Sequence, residues 1–367
     1  MYKVLVISNS CWNIFHYRKP LILKLLNEKF KVHIIANKDD YSKKLEDLGC
    51  NMENINFNRN SWSPIENLIL IINYYKCIKK IKPDLLIVFT LKPNLFVNFS
   101  QLFFKTTIIN NVTGLGTLAL KSIFFNFLFS LLLKFSFFKS KRVIFHNHND
   151  LKFLNLSTNN KFIVLPSMGI NTSSYPFKKR KFNFTSNKIK FVFVGRLIKD
   201  KGIVEYLEAA KIINKKYPNT SFTVLGSIDL SNLSHINSDY INEHKKFKFL
   251  NFISFVENTY EIIDKHDCLI LPSYREGIPR VIMEAQSMGI PVLATNVPGC
   301  NSLIKANING FLFKERDVKS LVNIIEKFIN SDINILNKIS NNAYINISTN
   351  FEEKIILDRY MKVINNL

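Results

Sequence analysis

Two glutamates, Glu276 and Glu284, stand eight positions apart within the stretch Pro272 to Gly299, PSYREGIPRVIMEAQSMGIPVLATNVPG. The apolar run from Cys268 to Leu271 reads as a buried strand that Pro272 ends, and Pro279 suits the first turn of a helix. Glu276 is therefore expected on a loop and Glu284 on a helix. At 1.5 Å per residue, the five steps from Pro279 to Glu284 place the second carboxylate roughly 7 Å along the helix axis. One carboxylate then reaches one end of an elongated polar ligand and the other its far end. Between them the backbone amides of Gly277 and Ile278, with the positive end of the helix, suit an anionic centre such as a diphosphate. Taken alone, two glutamates so spaced more often are one solvated loop residue and one residue of a polar helix face.

A second motif lies about eighty residues upstream. Lys190 to Val194 turns apolar after its first residue, as a buried strand does, and Gly195, Arg196 and Leu197 turn the chain before Lys201 and Gly202 open a helix. Ile203, Tyr206, Leu207, Ala210, Ile213 and Tyr217 fall on one helical face, and Pro218 stops it. A strand, a glycine turn and two cations converging before a helix suit a phosphate site, although taken alone exposed basic loop residues are the ordinary explanation of such a run.

These two stretches, GRLIKDKG and PSYREGIP through Glu284, resemble in order and spacing the donor-binding signature of the retaining glycosyltransferases of family four, whose GT-B architecture has two Rossmann-like domains. The resemblance implies that Glu276 holds hydroxyls of the transferred sugar and Glu284 the nucleotide ribose. It further implies that Arg196 and Lys201 grip the donor diphosphate, with Gly195, Gly277, Ile278 and Pro279 completing the donor contacts. The expected fold class is α/β, two doubly wound parallel sheets with an interdomain cleft.

In the first half, Lys3 to Ile7, Val32 to Ala36, Leu85 to Phe89, Thr107 to Asn110 and Arg142 to Phe145 are strand candidates, alternating with helices. Ligand loops should follow the strand ends: SNSCWNIFHYR from Ser8 to Arg18, TLKPN from Thr90 to Asn94 and NVTGLG from Asn111 to Gly116. With them the chain resembles the family-four enzymes that build O-antigen, capsule or bacterial glycoprotein glycans on undecaprenyl diphosphate, several of which add N-acetylated amino sugars. That narrower resemblance makes His16, Arg18, Lys92, Asn94, Thr113, Gly114 and Gly116 the acceptor-side candidates. It implies transfer of a hexose or N-acetylhexosamine, UDP-GalNAc or similar, to a lipid-diphosphate-linked or polysaccharide acceptor. Two departures stand out. Many relatives have a glycine pair in the first loop, where Ser8 to Trp12 has none, and many have a histidine after the fourth strand, where Asn111, Val112 and Thr113 stand here.

At 367 residues the chain suits two domains rather than one core. The expected division is 1–172, a linker at 173–188 in the polar, basic segment NTSSYPFKKRKFNFTSNK, a second domain at 189–348, and a final helix at 349–367 returning across the hinge. The chain opens on a strand, without the basic and long apolar regions of a signal peptide, so a cytoplasmic location is expected. Five cysteines, scattered at 11, 50, 77, 268 and 300, suggest neither a disulfide framework nor a zinc site. His146, His148 and Asp150 alternate as metal ligands can, but acceptor contacts or plain surface are the readings preferred, and no Asp-x-Asp occurs. No metal and no cofactor are expected, the nucleotide sugar being a substrate.

The net charge of +22 brings nucleic acid and anionic membrane into question. Residues 1 to 170 carry 23 Lys and Arg against 9 Asp and Glu, so the excess sits mainly in the first half. No nucleic-acid recognition motif accompanies it, and no nucleic-acid partner is expected. The segment Lys121 to Arg142, KSIFFNFLFSLLLKFSFFKSKR, turns the charge toward membranes. Its apolar core, Ser122 to Leu133, is shorter than the roughly twenty residues a spanning helix needs. A Phe-rich helix with lysines at both ends either lies in the membrane interface, at the inner face of the cytoplasmic membrane, or packs inside the domain. Two other functions stay open from the residues: a nucleotide-sugar epimerase, and a non-catalytic subunit of a glycan assembly complex.

Overall fold

The computed structural model describes residues 2–58, 61–101, 105–116, 123–180, 182, 184, 188–230 and 232–367, with the backbone alone for 123–125. The chain forms two units: Met1–Met168 with Glu353–Leu367, and Gly169–Glu352.

The first unit is built on a seven-stranded parallel sheet. Its strands are β1 (Lys3–Ile7), β2 (Lys31–Ala36), β3 (Asn51–Asn54), β4 (Leu85–Phe89), β5 (Thr107–Val112), β6 (Arg142–Phe145) and β7 (Phe162–Val164), in the spatial order β3-β2-β1-β4-β5-β6-β7. A parallel sheet covered on both faces needs strands that are apolar throughout. Val4 and Val6 of β1 accordingly enter one core while Leu5 and Ile7 enter the other. The first core lies under α1 (Cys11–Asn27), α2 (Ser42–Asp47) and the last helix; the second lies under α3 (Pro64–Ile81), α4 (Leu91–Ser100), α5 (Ile123–Ser136) and α6 (His148–Phe153).

The second unit holds a six-stranded parallel sheet in the order β10-β9-β8-β11-β12-β13. Its strands are β8 (Ile189–Val194), β9 (Thr220–Leu225), β10 (Leu250–Ile253), β11 (Cys268–Leu271), β12 (Val292–Thr295) and β13 (Phe311–Phe313). Between and after them run α7 (Ile203–Lys216), α8 (Ser238–His244), α9 (Tyr260–Asp264), α10 (Arg280–Ser287), α11 (Cys300–Leu303), α12 (Val318–Ile329) and α13 (Ile333–Asn350). The expected α7 face is the buried one: Ile203, Tyr206, Leu207, Ala210 and Ile213 all enter the core.

Several expectations are corrected. Strand β5 runs on to Val112, so Asn111 lies in the sheet and the ligand loop begins at Thr113. Pro279 stands at the N-cap position, one residue before α10, instead of inside its first turn. The segment 173–188 is no linker: it belongs to the second unit, where Arg180 Nη2 meets Asp264 Oδ1 at 2.8 Å and Phe182 is buried among Ile189, Phe191 and Phe328. By contrast, the last helix, α14 (Glu353–Asn365), joins the first unit as expected: Tyr360, Met361 and Ile364 enter the core and the Tyr360 hydroxyl donates to Asn111 Oδ1 at 3.0 Å. Lys121 and Ser122 lie outside the described residues.

Candidate functional site

In each open parallel sheet the strand order reverses at one place, and ligands bind beyond the carboxyl ends of the two strands that flank it. In the second unit those strands are β8 and β11, which pair directly. The loops that leave them are the two sequence motifs, 195–202 after β8 and 272–279 after β11.

The loops are interlocked. Gly202 has φ +73°, and a Cβ there would come within 2.0 Å of the Pro272 carbonyl oxygen, so glycine alone fits. The Tyr274 amide donates to the Asp200 carbonyl at 2.9 Å, and the Tyr274 hydroxyl donates to Glu205 Oε1 at 2.7 Å. The junction delivers Lys201 to Glu276: Nζ lies 2.5 Å from Oε1. Ser273 Oγ donates to the same carboxylate oxygen at 2.7 Å. A second turn supports the loop from behind. Glu276 donates its amide to the Pro298 carbonyl at 3.2 Å, and Gly299, φ +85°, has no room for a Cβ against the carbonyls of Glu276 and Gly277. The Glu276 side chain is 11% exposed and that of Lys201 23%, so the ion pair is largely desolvated yet open on one side. A ligand group that accepts from Lys201 and a hydroxyl that donates to Glu276 can thus lie about 3 Å from each, next to one another.

Glu284, in α10, is 7% exposed. Its Oε1 accepts from the Tyr175 hydroxyl at 3.1 Å and from Arg280 Nε at 3.1 Å, and its Oε2 accepts from Thr259 Oγ1 at 3.0 Å. Burial, then the Glu284 charge, pushes the Tyr175 phenol up to about 12, which keeps it a donor. Arg196 is directed elsewhere. Its Nη1 pairs with Asp229 Oδ2 at 2.8 Å, and half of its side chain is exposed.

In the first unit the strand order reverses between β1 and β4. Arg18, expected after β1, is 3% exposed in α1, stacks its guanidinium centre 4.5 Å from the Phe89 ring and donates to the Tyr17 carbonyl. His16 packs among the rings of Trp12, Phe15 and Tyr41. Lys92, after β4, donates from Nζ to the carbonyls of Asn58 at 2.7 Å and Ser61 at 2.6 Å, and burial lowers its basicity. It lines a cavity of about 510 Å³ with Asn37, Asn56, Asn58, Glu66 and Asn73. Asn94 is 1% exposed, donates from Nδ2 to the Asn111 carbonyl at 2.7 Å and accepts from Asn110 Nδ2 at 2.8 Å, the position of a strut. Thr113 and Gly114 follow β5, with Gly114 at φ +136°, and Gly116 sits just beyond at φ +59°.

His146 directly follows β6 and is 3% exposed, not on a polar surface. Burial, then the charge of Arg18, holds its pKa well below the ordinary histidine value. Among the described residues no three of His, Cys, Asp and Glu cluster as metal ligands do, and no helix is long and apolar enough to cross a membrane.

Sequence reasoning missed the groups that orient the carboxylates. Ser273 lies inside the motif and could have been read as a donor to Glu276 from its position three residues earlier. Tyr175 and Thr259 carry no local signal, being far from Glu284 along the chain.

Residues 174–346 match the family model for glycosyl transferases group 1, and residues 3–147 match that for glycosyl transferase 4-like proteins. Over 97% of its length the chain is 26% identical to 96% of the N,N'-diacetylbacillosaminyl-diphospho-undecaprenol alpha-1,3-N-acetylgalactosaminyltransferase of Campylobacter jejuni. It is 32% identical, over 46% of this chain and 44% of the relative, to the UDP-Gal:alpha-D-GlcNAc-diphosphoundecaprenol alpha-1,3-galactosyltransferase of Escherichia coli. Among solved structures, Anabaena HepE in complex with UDP and glucose superposes with a TM-score of 0.78 at 18% identity, covering 100% of both chains. The sucrose-phosphate synthase of Thermosynechococcus elongatus reaches 0.80 at 15% identity, over 100% of this chain and 99% of its own. At those identities the likeness to the solved structures is one of fold.

Proposed function

The chain is a glycosyltransferase, its second unit matching the glycosyl transferases group 1 and its first the glycosyl transferase 4-like proteins, and from that premise we propose a retaining, metal-independent transfer of a hexose or N-acetylhexosamine from a nucleotide sugar to a lipid-diphosphate-linked acceptor in cell-surface glycan synthesis. UDP-GalNAc is the donor favoured by the full-length similarity to the C. jejuni enzyme, whose name specifies that sugar on an undecaprenol diphosphate. A lipid-linked acceptor places the reaction at the inner face of the cytoplasmic membrane.

The observation that carries this reading is the Lys201–Glu276 pair at the carboxyl ends of β8 and β11. On donor binding the two exchange partners: Lys201 turns to the diphosphate and Glu276 takes hydroxyls of the hexose. Arg196 joins them by leaving Asp229, an exchange that costs at most about 1 kcal/mol because the arginine is half exposed. Glu284, already ringed by donors, accepts from the ribose.

As the bond between the anomeric carbon and the diphosphate oxygen breaks, its electron pair stays on that oxygen. Arg196 and Lys201 stabilise the growing charge more in the transition state than in the ground state. The acceptor hydroxyl attacks from the same face, forms the new bond to the anomeric carbon and gives its proton to the departing diphosphate. Configuration is thereby retained. No side chain serves as a covalent nucleophile in this scheme, and catalysis is positioning plus charge stabilisation. The metal-independent reading rests on these two cations and on the lack of an Asp-x-Asp motif in the sequence.

The test is a panel of UDP, GDP and dTDP sugars offered with a lipid-diphosphate sugar, read by mass shift, with the product's anomeric configuration read by nuclear magnetic resonance and EDTA present in a parallel arm. A single mass shift with retained configuration and EDTA-insensitive turnover is expected. An inverted product, or a strict requirement for manganese or magnesium, would overturn the scheme.

A further inference from the structure

Helix α4 packs between α3 and α5, and eight of its ten residues are buried. The two flanking helices therefore form the outer layer on this side of the first unit. An outer helix of a soluble domain turns a polar face to water. These two do not.

On α3, the side opposite the core residues Leu70, Tyr74 and Ile78 consists of Ile65, Leu68, Ile69 and Ile72, spaced at i, i+3, i+4 and i+7 and exposed by 42% to 72%. Trp62, 41% exposed, precedes the helix. On α5, Phe129 and Leu133 enter the core while Phe127, Leu128, Leu131, Leu132 and Phe135 remain exposed. Asn126, Ser130 and Lys134, which recur every four residues, are half-buried on the flank and leave the outward face apolar. Exposed apolar residues grouped in this way mark an interaction site.

Charge identifies the occupant. Lys76, Lys79, Lys80 and Lys82 follow the α3 stripe, and Lys139 and Lys141 follow α5, all exposed. Glu66 is the one acidic residue within α3, and α5 has none. A second copy of the chain would bring these cations against themselves, whereas an anionic bilayer accepts both the apolar stripes and the lysines.

We propose that α3 and α5 together form a two-helix platform that seats the first unit on an anionic lipid surface. The α3 half has no counterpart in the sequence signal, since PIENLILIINYYKCIKKI reads as an ordinary amphipathic helix until its core face is known. The platform serves the lipid-linked acceptor and in that respect rests on the reading above. Its binding to lipid is nevertheless measurable without donor or acceptor, so the two can fail separately.

The experiment is partition of the full chain onto vesicles of equal parts phosphatidylglycerol and phosphatidylcholine, and onto phosphatidylcholine alone. Binding to the anionic vesicles is expected, weakening about fivefold for each lysine among 76, 79 and 139 changed to Gln, and weakening with salt. The triple variant Ile65→Ser, Leu68→Ser, Ile72→Ser should bind at least tenfold more weakly than the parent, with its thermal melt unchanged because none of the three is core. Unaltered partition of that variant would overturn the platform, as would a parent that prefers self-association to vesicles in sedimentation. If the variant fails to fold, the parent still decides the matter: emission from Trp62 should shift to the blue on anionic vesicles, and Trp62→Phe should abolish the shift. An emission spectrum unmoved by lipid would equally overturn it.

Discussion

Gly202 and Pro272 meet so closely that the backbone of one occupies the space a side chain on the other would need: a Cβ at 202 would stand 2.0 Å from the Pro272 oxygen. This contact joins two loops about seventy positions apart in the chain and holds Lys201 against Glu276. Gly202→Ala should therefore destabilise the second unit by more than about 2 kcal/mol, combining a left-handed backbone at an L-residue with a steric clash. Denaturant unfolding measures the loss. Nucleoside diphosphate affinity in the surviving folded fraction should fall with it, and a variant of parental stability and affinity would show that the loops are not interlocked.

Tyr175→Phe removes one of three donors to a buried carboxylate while keeping the ring that packs against Tyr260 at 6.2 Å. About 1–3 kcal/mol of stability should be lost, the cost of leaving part of Glu284 unsatisfied. A further Glu284→Gln change should then cost less than it does in the parent, because the two residues share one interaction. Additive losses in this double-mutant cycle would place Tyr175 outside the ring.

Asn94→Ala distinguishes a strut from an acceptor contact. Asn94 joins Asn110, Asn111 and Asn98 in a buried network that Ser140 completes through Asn110. Stability of the first unit should drop by about 1–3 kcal/mol, with KM for the acceptor little changed in the folded enzyme. A raised KM at parental stability would return Asn94 to the substrate.

His146 gives the fold a pH dependence. Its pKa in the folded chain is held well below the ordinary 6.5. The unfolded chain therefore takes up a proton near that pH that the folded chain refuses, so the stabilising effect is fully present above pH 6.5 and is lost as pH falls. The slope is up to about 1.4 kcal/mol per pH unit for this one group. Unfolding free energies measured between about pH 7 and pH 5 should decline, and His146→Gln should flatten the decline. His266, half-buried in the second unit and lowered in the same direction, should leave a residual slope in that variant.

The parts of the fold legible in the sequence are those where physics acts locally. LLIVF and CLIL read as strands because a parallel sheet buries both of their faces. The donor loops read as a pair because Gly195, Lys201, Gly202 and Glu276 each meet a backbone or charge requirement within a few residues. NMEN at β3 was not legible, since an edge strand pairs on one side only and needs no apolar run. Nor was the outward face of α3, because nothing in a helix's own periodicity tells which of two apolar sides the core will take. The ring around Glu284 was hidden for a third reason: Tyr175 lies in a segment that reads as a linker from its polar, basic composition.

Glu276→Gln keeps the shape of the side chain and removes its charge, and it offers the most direct measurement. Turnover should be followed under single-turnover conditions beside the affinity for free nucleoside diphosphate. Glycosyl transfer should fall at least about 100-fold, equivalent to a lost transition-state contact of about 3 kcal/mol, while diphosphate affinity stays within about threefold, since the phosphate partners Arg196 and Lys201 are intact. Transfer near the parental rate in this variant would contradict the assignment of Glu276 to the transferred sugar, and with it the reading of the Lys201–Glu276 pair as the reacting centre.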